Sequence, residues 1–344
     1  MEKGCYTALI TPFNNTGEID NHGLEQLINF QIENGITGIL AAGTTGESPT
    51  LKWEEHNLVA KKIAEYTKNK CAGIAGAGSN NTKEALSAVE HAAKIGYESV
   101  LLVDPYYNGP SSLETRKEYY EPIANAFPEI DIVPYIIPGR TGAQMLPQDL
   151  AILAGEYNNI SSVKEATGSL ENMKATRNFC KENFNIFSGD DPMTYQMMID
   201  PEIKAAGGIS VMSNIAPGFS TKMIALLGKG KIDKALKIND ALAPLLNIIT
   251  VVTEEDTPYG KTQCRARNPL AVKTLMQILG MPSGYCRKPI GKMTQKGLAI
   301  VLNAAHQVWN NNPEIFTPIA DFFKVDIEER LNNEKLRENL YYDY

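Results

Sequence analysis

Hydrophobic and polar positions along this chain switch repeatedly between two spacings. Short apolar runs that end in turn residues read as strands: YTALITPF (6–13), TGILAAG (37–43), KCAGIAGAGS (70–79), ESVLLVDPYY (98–107), IDIVPYIIP (130–138), ISSVKEATG (160–168), NIFSGDD (185–191) and GGISVMSNIA (207–216). Each is followed by a helix candidate; in the first, Leu24, Leu27, Ile28 and Ile32 share one face. NTKEALSAVEHAAKIG opens on an Asn or Thr cap and stops at Gly96. Strands alternating with helices predict a parallel sheet with right-handed crossovers, and eight such units close into a barrel. The expected fold class is α/β, a (β/α)8 TIM barrel. A doubly wound open sheet is the alternative, but it carries a glycine-rich fingerprint in its first turn, and TPFNNTGEID has none.

Past the eighth strand the pattern predicts a long helical region to about residue 253. Its apolar run ALAPLLNIITVV (241–252) reads as a core helix, too short to span a bilayer. NPLAVKTLMQILG (268–280) and KMTQKGLAIVLNAAHQVW (292–309) also have helical spacing, while VTEEDTPYGKTQCRAR (252–267) reads as a long connection. Residues 310–344 form a tail, charge-rich from Asp326 to Glu338, with Phe322 and Phe323 as apolar anchors to the body. The expected organisation is a barrel over 1–240, a C-terminal helical region over 241–309 and an extension over 310–344.

One strand carries an anomaly. In SSVKEATGS (161–169), period-two alternation puts Ser162, Lys164 and Ala166 on one face and Val163 and Glu165 on the other. A lysine inside a barrel near a strand tip is desolvated, which disfavours its charged form. A neutral amine attacks carbonyls and forms a Schiff base. A structural ion pair is the competing reading, although alternation points Glu165 to the other face.

The remaining chemistry follows from the rule that barrel enzymes work at the carboxyl ends of their strands. GTTGES (43–48) offers threonine hydroxyls and glycine-flanked amides to a carboxylate, or simply a turn before a helix. Tyr106, Tyr107 and Tyr135 are proton carriers, or tyrosines filling the interior. Arg140 is a carboxylate clamp, or a surface ion-pair partner.

Charge and composition narrow the classes. The net charge of -7 argues against nucleic acid as a general partner. Five scattered cysteines without a C-x-x-C, and four histidines without a ligand spacing, predict reduced thiols, a cytoplasmic setting and no bound metal. MEKGCYTALITPF enters a strand-like run directly, so no signal peptide is expected there.

TALITPF, GTTGES, DPYYNGP, Tyr135 ahead of PGRTG, VKEATG, FSGDD, GGISVMSN and NPLAVK occur together over about residues 4–309. In this set the chain resembles the dihydrodipicolinate synthase family, within the pyruvate-dependent class I aldolases that include N-acetylneuraminate lyase. The resemblance implies a lyase with no cofactor that condenses pyruvate with L-aspartate-4-semialdehyde toward diaminopimelate and lysine. It implies Lys164 as the Schiff-base residue and Tyr135 as the proton shuttle. Thr45 and Tyr107 complete the relay, with Tyr107 crossing a dimer interface. Thr44, Thr45, Gly208 and Ile209 hold the pyruvate carboxylate, and Arg140 binds the second substrate. It further implies a homo-oligomer, a dimer or dimer of dimers, and an L-lysine effector site at Ser48, Trp53, His56, Asn80, Glu84 and Tyr106. Where the family has Tyr-Asn-Val-Pro, this chain has Tyr135-Ile136-Ile137-Pro138, which removes one polar contact near the shuttle. The alternative is another pyruvate-dependent aldolase, such as N-acetylneuraminate lyase or 4-hydroxy-2-oxoglutarate aldolase. Arg140 separates the two, since a polyol substrate asks for hydroxyl partners instead of a second carboxylate clamp.

Overall fold

The computed structural model describes residues 1–343. Eight parallel strands close into a barrel in chain order: β1 (Gly4–Ala8), β2 (Gly38–Ala41), β3 (Ala72–Gly76), β4 (Ser99–Val103), β5 (Asp131–Ile136), β6 (Ser162–Glu165), β7 (Asn185–Ser188) and β8 (Gly207–Ser210). Seven fall inside the stretches read from the hydrophobic pattern, and β1 overlaps its stretch but starts two residues earlier, at Gly4. Closure comes from β1 pairing with β8, with Tyr6 opposite Ile209. The barrel is filled by Tyr6, Ala8, Leu40, Ile74, Leu101, Val133, Tyr135, Phe187, Ala206 and Ile209, with Tyr6 and Phe187 meeting edge to face at 5.7 Å. Alternate residues such as Ile39, Val100, Ile132 and Val163 point outward into the layer covered by helices.

The helices that matter here are α1 (Asn21–Glu33), α2 (Trp53–Thr67), α3 (Thr82–Lys94), α4 (Glu121–Ala126), α5 (Pro147–Glu156), α6 (Leu170–Cys180), α7 (Asp191–Ile199), α8 (Pro217–Gly228) and α9 (Ile232–Leu246). Local sequence sets their ends. Asp20 accepts from Gly23 N to cap α1, and Asn81 accepts from Lys83 N to cap α3, which stops just before Gly96 at φ +94°.

The region after α9 departs from the expected helical run. Helix α9 ends at Leu246, and the chain then forms an antiparallel hairpin of β9 (Thr250–Thr257) and β10 (Gly260–Arg267). Val251, Thr253 and Glu255 are buried while Thr250, Val252 and Glu254 are exposed, a period of two that helix geometry cannot produce. Thr-Val-Val-Thr supplies β-branched residues suited to a pleated surface, and the Thr257 hydroxyl donates to Gly260 O across the Pro258–Tyr259 turn.

Beyond the hairpin come α10 (Leu270–Ile278), β11 (Met293–Thr294), α11 (Gln295–Asn311), α12 (Thr317–Phe323), α13 (Ile327–Asn332) and β12 (Tyr341–Tyr342), which pairs with β11. Phe322 and Phe323 pack on Phe30 of α1 at 5.4 and 5.3 Å. Arg330 donates to the carbonyls of Gln277 and Ile278, satisfying the carboxyl end of α10.

One buried ion pair joins the barrel to this region. Glu47, in the GTTGES turn, meets Lys273 of α10 at 2.6 Å, with both side chains almost wholly excluded from solvent. Lys273 also donates to Thr11 O at 2.9 Å, and the second Glu47 oxygen accepts from Arg287 N at 2.8 Å. Lys273→Met leaves that carboxylate buried without its cation. In chemical denaturation it is expected to lower the unfolding free energy by about 3–5 kcal/mol, with Glu47→Gln added in the double variant recovering much of the loss. Losses that simply add would mean the two charges are not coupled.

Candidate active site

Lys164 lies on β6 inside the barrel, in register with Tyr135 on β5 and Phe187 on β7. Its side chain is 4 % exposed, and its ammonium nitrogen sits 4.1 Å from the centre of the Tyr135 ring. Gly189 makes the space: a Cβ there would come within 3.0 Å of the lysine Cε. Burial pulls the amine down from 10.5 to about 7; the Asp191 carboxylate opposes this and the Arg140 guanidinium adds to it. Asp191 is committed elsewhere, accepting from Val211 N and Met212 N at the turn after β8. No ion pair reaches Lys164 among the described residues, so the structural-pair reading of this side chain has no partner.

Glu165, pointing the other way, accepts from Thr167 N at 2.6 Å and from Asn172 Nδ2 at 2.8 Å. It fastens the end of β6 to the first turn of α6, which is why a buried acid adjoins the lysine without neutralising it.

The Tyr135 ring on which Lys164 packs also lines a pocket of about 240 Å³, together with Thr44, Ser48, Tyr106, Arg140 and Thr141 among others. Burial pushes the Tyr135 phenol up to about 12, while the Arg140 charge and a hydrogen bond with Thr44 pull it back. The two threonines therefore divide. Thr44 faces the Tyr135 phenol, whereas the Thr45 hydroxyl accepts from Asn268 Nδ2 at 3.0 Å. Arg140, in the short helix Pro138–Thr141, donates to Asn268 O at 2.9 Å. Gly208 and Ile209 are buried at the end of β8, with Ile209 in the same interior layer as Tyr135.

Tyr107 does not join this pocket within its own subunit. It is 90 % exposed at φ +78°, with its amide held by Thr141 O at 3.1 Å. A non-glycine residue in that conformation costs free energy, and such strain gathers at functional positions.

The effector candidates fall in three pairs. Ser48 and Tyr106 line the pocket itself, while Trp53 and His56 of α2 stack edge to face at 5.0 Å. Burial lowers His56 to about 4. Glu84 accepts from the Ser79 hydroxyl at 2.7 Å, and Asn80 is exposed beside it.

Two contributors were not singled out in the sequence: Asn268, which serves both Thr45 and Arg140, and Asp104. Asp104 accepts from Tyr120 Oη and Met145 N and anchors the loop that carries Arg140. Asn268 lies 223 residues from Thr45, a separation that no local pattern reports.

The family model described as the dihydrodipicolinate synthetase family matches residues 1–307. A 4-hydroxy-tetrahydrodipicolinate synthase from Methanococcus vannielii is 38 % identical over 302 residues, covering 88 % of this chain and 97 % of that protein. Among solved structures, a dihydrodipicolinate synthase from Cyanidioschyzon merolae with lysine bound is 33 % identical with a TM-score of 0.79, covering 89 % of this chain and 98 % of that one. The chloride-inhibited enzyme from Acinetobacter baumannii, complexed with pyruvate, is 32 % identical with a TM-score of 0.81, covering 90 % and 99 %.

The depressed lysine has a measurable signature. Between about pH 7 and 10.5 the unfolded chain binds a proton that the folded one does not, so this group makes stability rise with pH across that window. Lys164→Met fills the same space without the charge. In melts it is expected to be the more stable protein at pH 6, with its advantage shrinking by about 2–3 kcal/mol by pH 9. A difference independent of pH would mean that the amine is solvated.

Proposed function

The chain belongs to the dihydrodipicolinate synthetase family, and from that premise we propose that it is a 4-hydroxy-tetrahydrodipicolinate synthase, condensing pyruvate with L-aspartate-4-semialdehyde on Lys164. The observation that carries this reading is a dry amine, depressed to about 7, packed on the ring of a phenol whose own acidity is shifted the opposite way. The neutral Lys164 amine adds to the pyruvate ketone, and loss of water gives the protonated imine. Loss of a C3 proton gives the enamine, whose carbon attacks the aldehyde. The amine of the second substrate then displaces Lys164 from C2, closing the ring and releasing the enzyme.

Tyr135 carries protons through these steps, with Thr44 as its hydroxyl partner. Tyr107 extends the relay into a neighbouring subunit of a homo-oligomer, consistent with its exposure and strained backbone. Thr45 and backbone at Gly208 and Ile209 receive the pyruvate carboxylate, and Arg140 receives that of the aldehyde. No metal or cofactor has a role in this chemistry. The carboxylate requirement at Arg140 favours this reading over a sugar-acid lyase. L-lysine acts as an effector at Ser48, Trp53, His56, Asn80, Glu84 and Tyr106, a reading supported by the lysine-bound relative. No described helix is long and apolar enough to cross a membrane.

Borohydride reduction with pyruvate, followed by peptide mapping, is expected to place one adduct on Lys164; an unmodified Lys164 in folded protein would overturn the Schiff-base mechanism. With both substrates, kcat/KM for pyruvate should rise through an acid limb near pH 7 as the amine loses its proton. Tyr135→Phe should lower kcat by about 10²-fold or more. Turnover with N-acetylmannosamine but not aspartate semialdehyde would assign the chain to the lyases.

A further inference from the structure

The hairpin that replaces the expected helix builds a second space. A cleft of about 830 Å³ lies between β10 and the segment from Pro289 to Gly297. Arg140 lines both this cleft and the pocket beside Tyr135, so the two spaces meet at this residue. Arg265, Arg267 and Lys292 also line the cleft, where Asp343 is the one carboxylate among the described residues. Among the described residues, none of these four cations has an ion-pair partner.

Arg140 and Arg267 are clasped together. Arg140 Nη2 donates to the carbonyl of Asn268, which follows Arg267, and Arg267 Nη1 donates at 3.1 Å to the carbonyl of Gly139, which precedes Arg140. Each guanidinium thus spends one donor on backbone beside the other and keeps most of its fork free. Two like charges are held near each other, and among the described residues neither has a carboxylate in ion-pair contact. Burial lowers Arg140 from its ordinary value, the Tyr135 phenol opposes this, and the nearby Arg267 charge lowers it further. An arrangement that repels itself when empty is relieved when an anion enters.

We propose that Arg140 and Arg267 form a two-guanidinium carboxylate site, and that the hairpin cleft is the path by which the anionic aldehyde substrate reaches the catalytic pocket. The proposal rests on the synthase reading and adds to it a specificity-determining residue supplied from outside the barrel. A carboxylate has two oxygens and about four acceptor positions, enough for both forks. The uncompensated positive lining concentrates anions locally on a chain whose net charge of -7 would otherwise repel them.

Arg267→Gln tests it, because the amide keeps an N–H for Gly139 O while removing the charge. The expected result is a rise of about tenfold in KM for aspartate semialdehyde, without a matching rise for pyruvate, and a shallower fall of kcat/KM with added salt. Arg267→Lys should restore the salt dependence but only part of the KM. An unaltered aldehyde KM and salt slope in Arg267→Gln would overturn the proposal. So would equal rises for both substrates, which would make Arg267 a mere support for the Gly139 loop. Borohydride trapping of pyruvate on Lys164 is measured in the same variants. Its retention alongside an unaltered aldehyde KM sinks the two-guanidinium site alone, whereas its absence from the wild-type protein sinks the synthase reading itself.

Discussion

The buried pair of Glu47 and Lys273 is the contact on which the site's geometry depends. Glu47 stands in a turn with two strained backbones, its own at φ +58° and that of Ala42 at φ +46°. Non-glycine residues persist there only when their surroundings over-determine them. The surroundings are explicit: Thr11 donates to Gly46 O, Lys273 and Arg287 N hold the two carboxylate oxygens, and the Phe13 ring lies under both cations at 4.3 Å. Taking two charges out of water costs several kcal/mol per ion, so the pair is a poor source of net stability. What it confers is position. It sets Thr44 against Tyr135, and it seats α10 so that Asn268, just before that helix, meets Thr45 and Arg140.

That arrangement explains which parts of the molecule were legible in the sequence. Short apolar runs located all eight barrel strands, and alternation put Lys164 on the inner face, because side-chain direction in a strand is fixed by the backbone period alone. The pairing of Tyr135 with Lys164 follows from neighbouring strands at the same height. The partners of Glu47 and Thr45 do not, since both come from more than 220 residues away. Which of Thr44 and Thr45 faces Tyr135 depends on which way a strained turn is held, and a run of two identical residues carries no sign of that.

The hairpin was misread for a different reason. ALAPLLNIITVV is apolar at almost every position, so it satisfies helical and strand periods alike, and the run of Leu and Ile favoured a helix. The true boundary lies where β-branched Thr250, Val251, Val252 and Thr253 begin, with Thr-Pro-Tyr-Gly as the turn. Glu165 was opaque because its role is local and polar. It closes the loop to α6, and burial raises its pKa while three hydrogen bonds from Thr167 and Asn172 pull it back.

The same low dielectric acts in opposite senses on the two central groups, and the chemistry depends on the difference. Burial disfavours the charged form of each, making Lys164 easier to deprotonate and Tyr135 harder. The lysine therefore rests as a nucleophile, and the phenol rests as a proton donor that never competes for the amine's charge. A carboxylate facing Lys164 would undo this by restoring the ammonium, so Glu165 must point outward and Asp191 must be absorbed by amide donors. Anionic substrates still have to enter, and they would stabilise that same ammonium. Positive charges without an ion-pair partner among the described residues gather on Arg140 and the hairpin, where Arg140 further lowers the Lys164 amine. An anion held there by guanidiniums adds less negative potential at Lys164, so the amine keeps its lowered affinity for a proton.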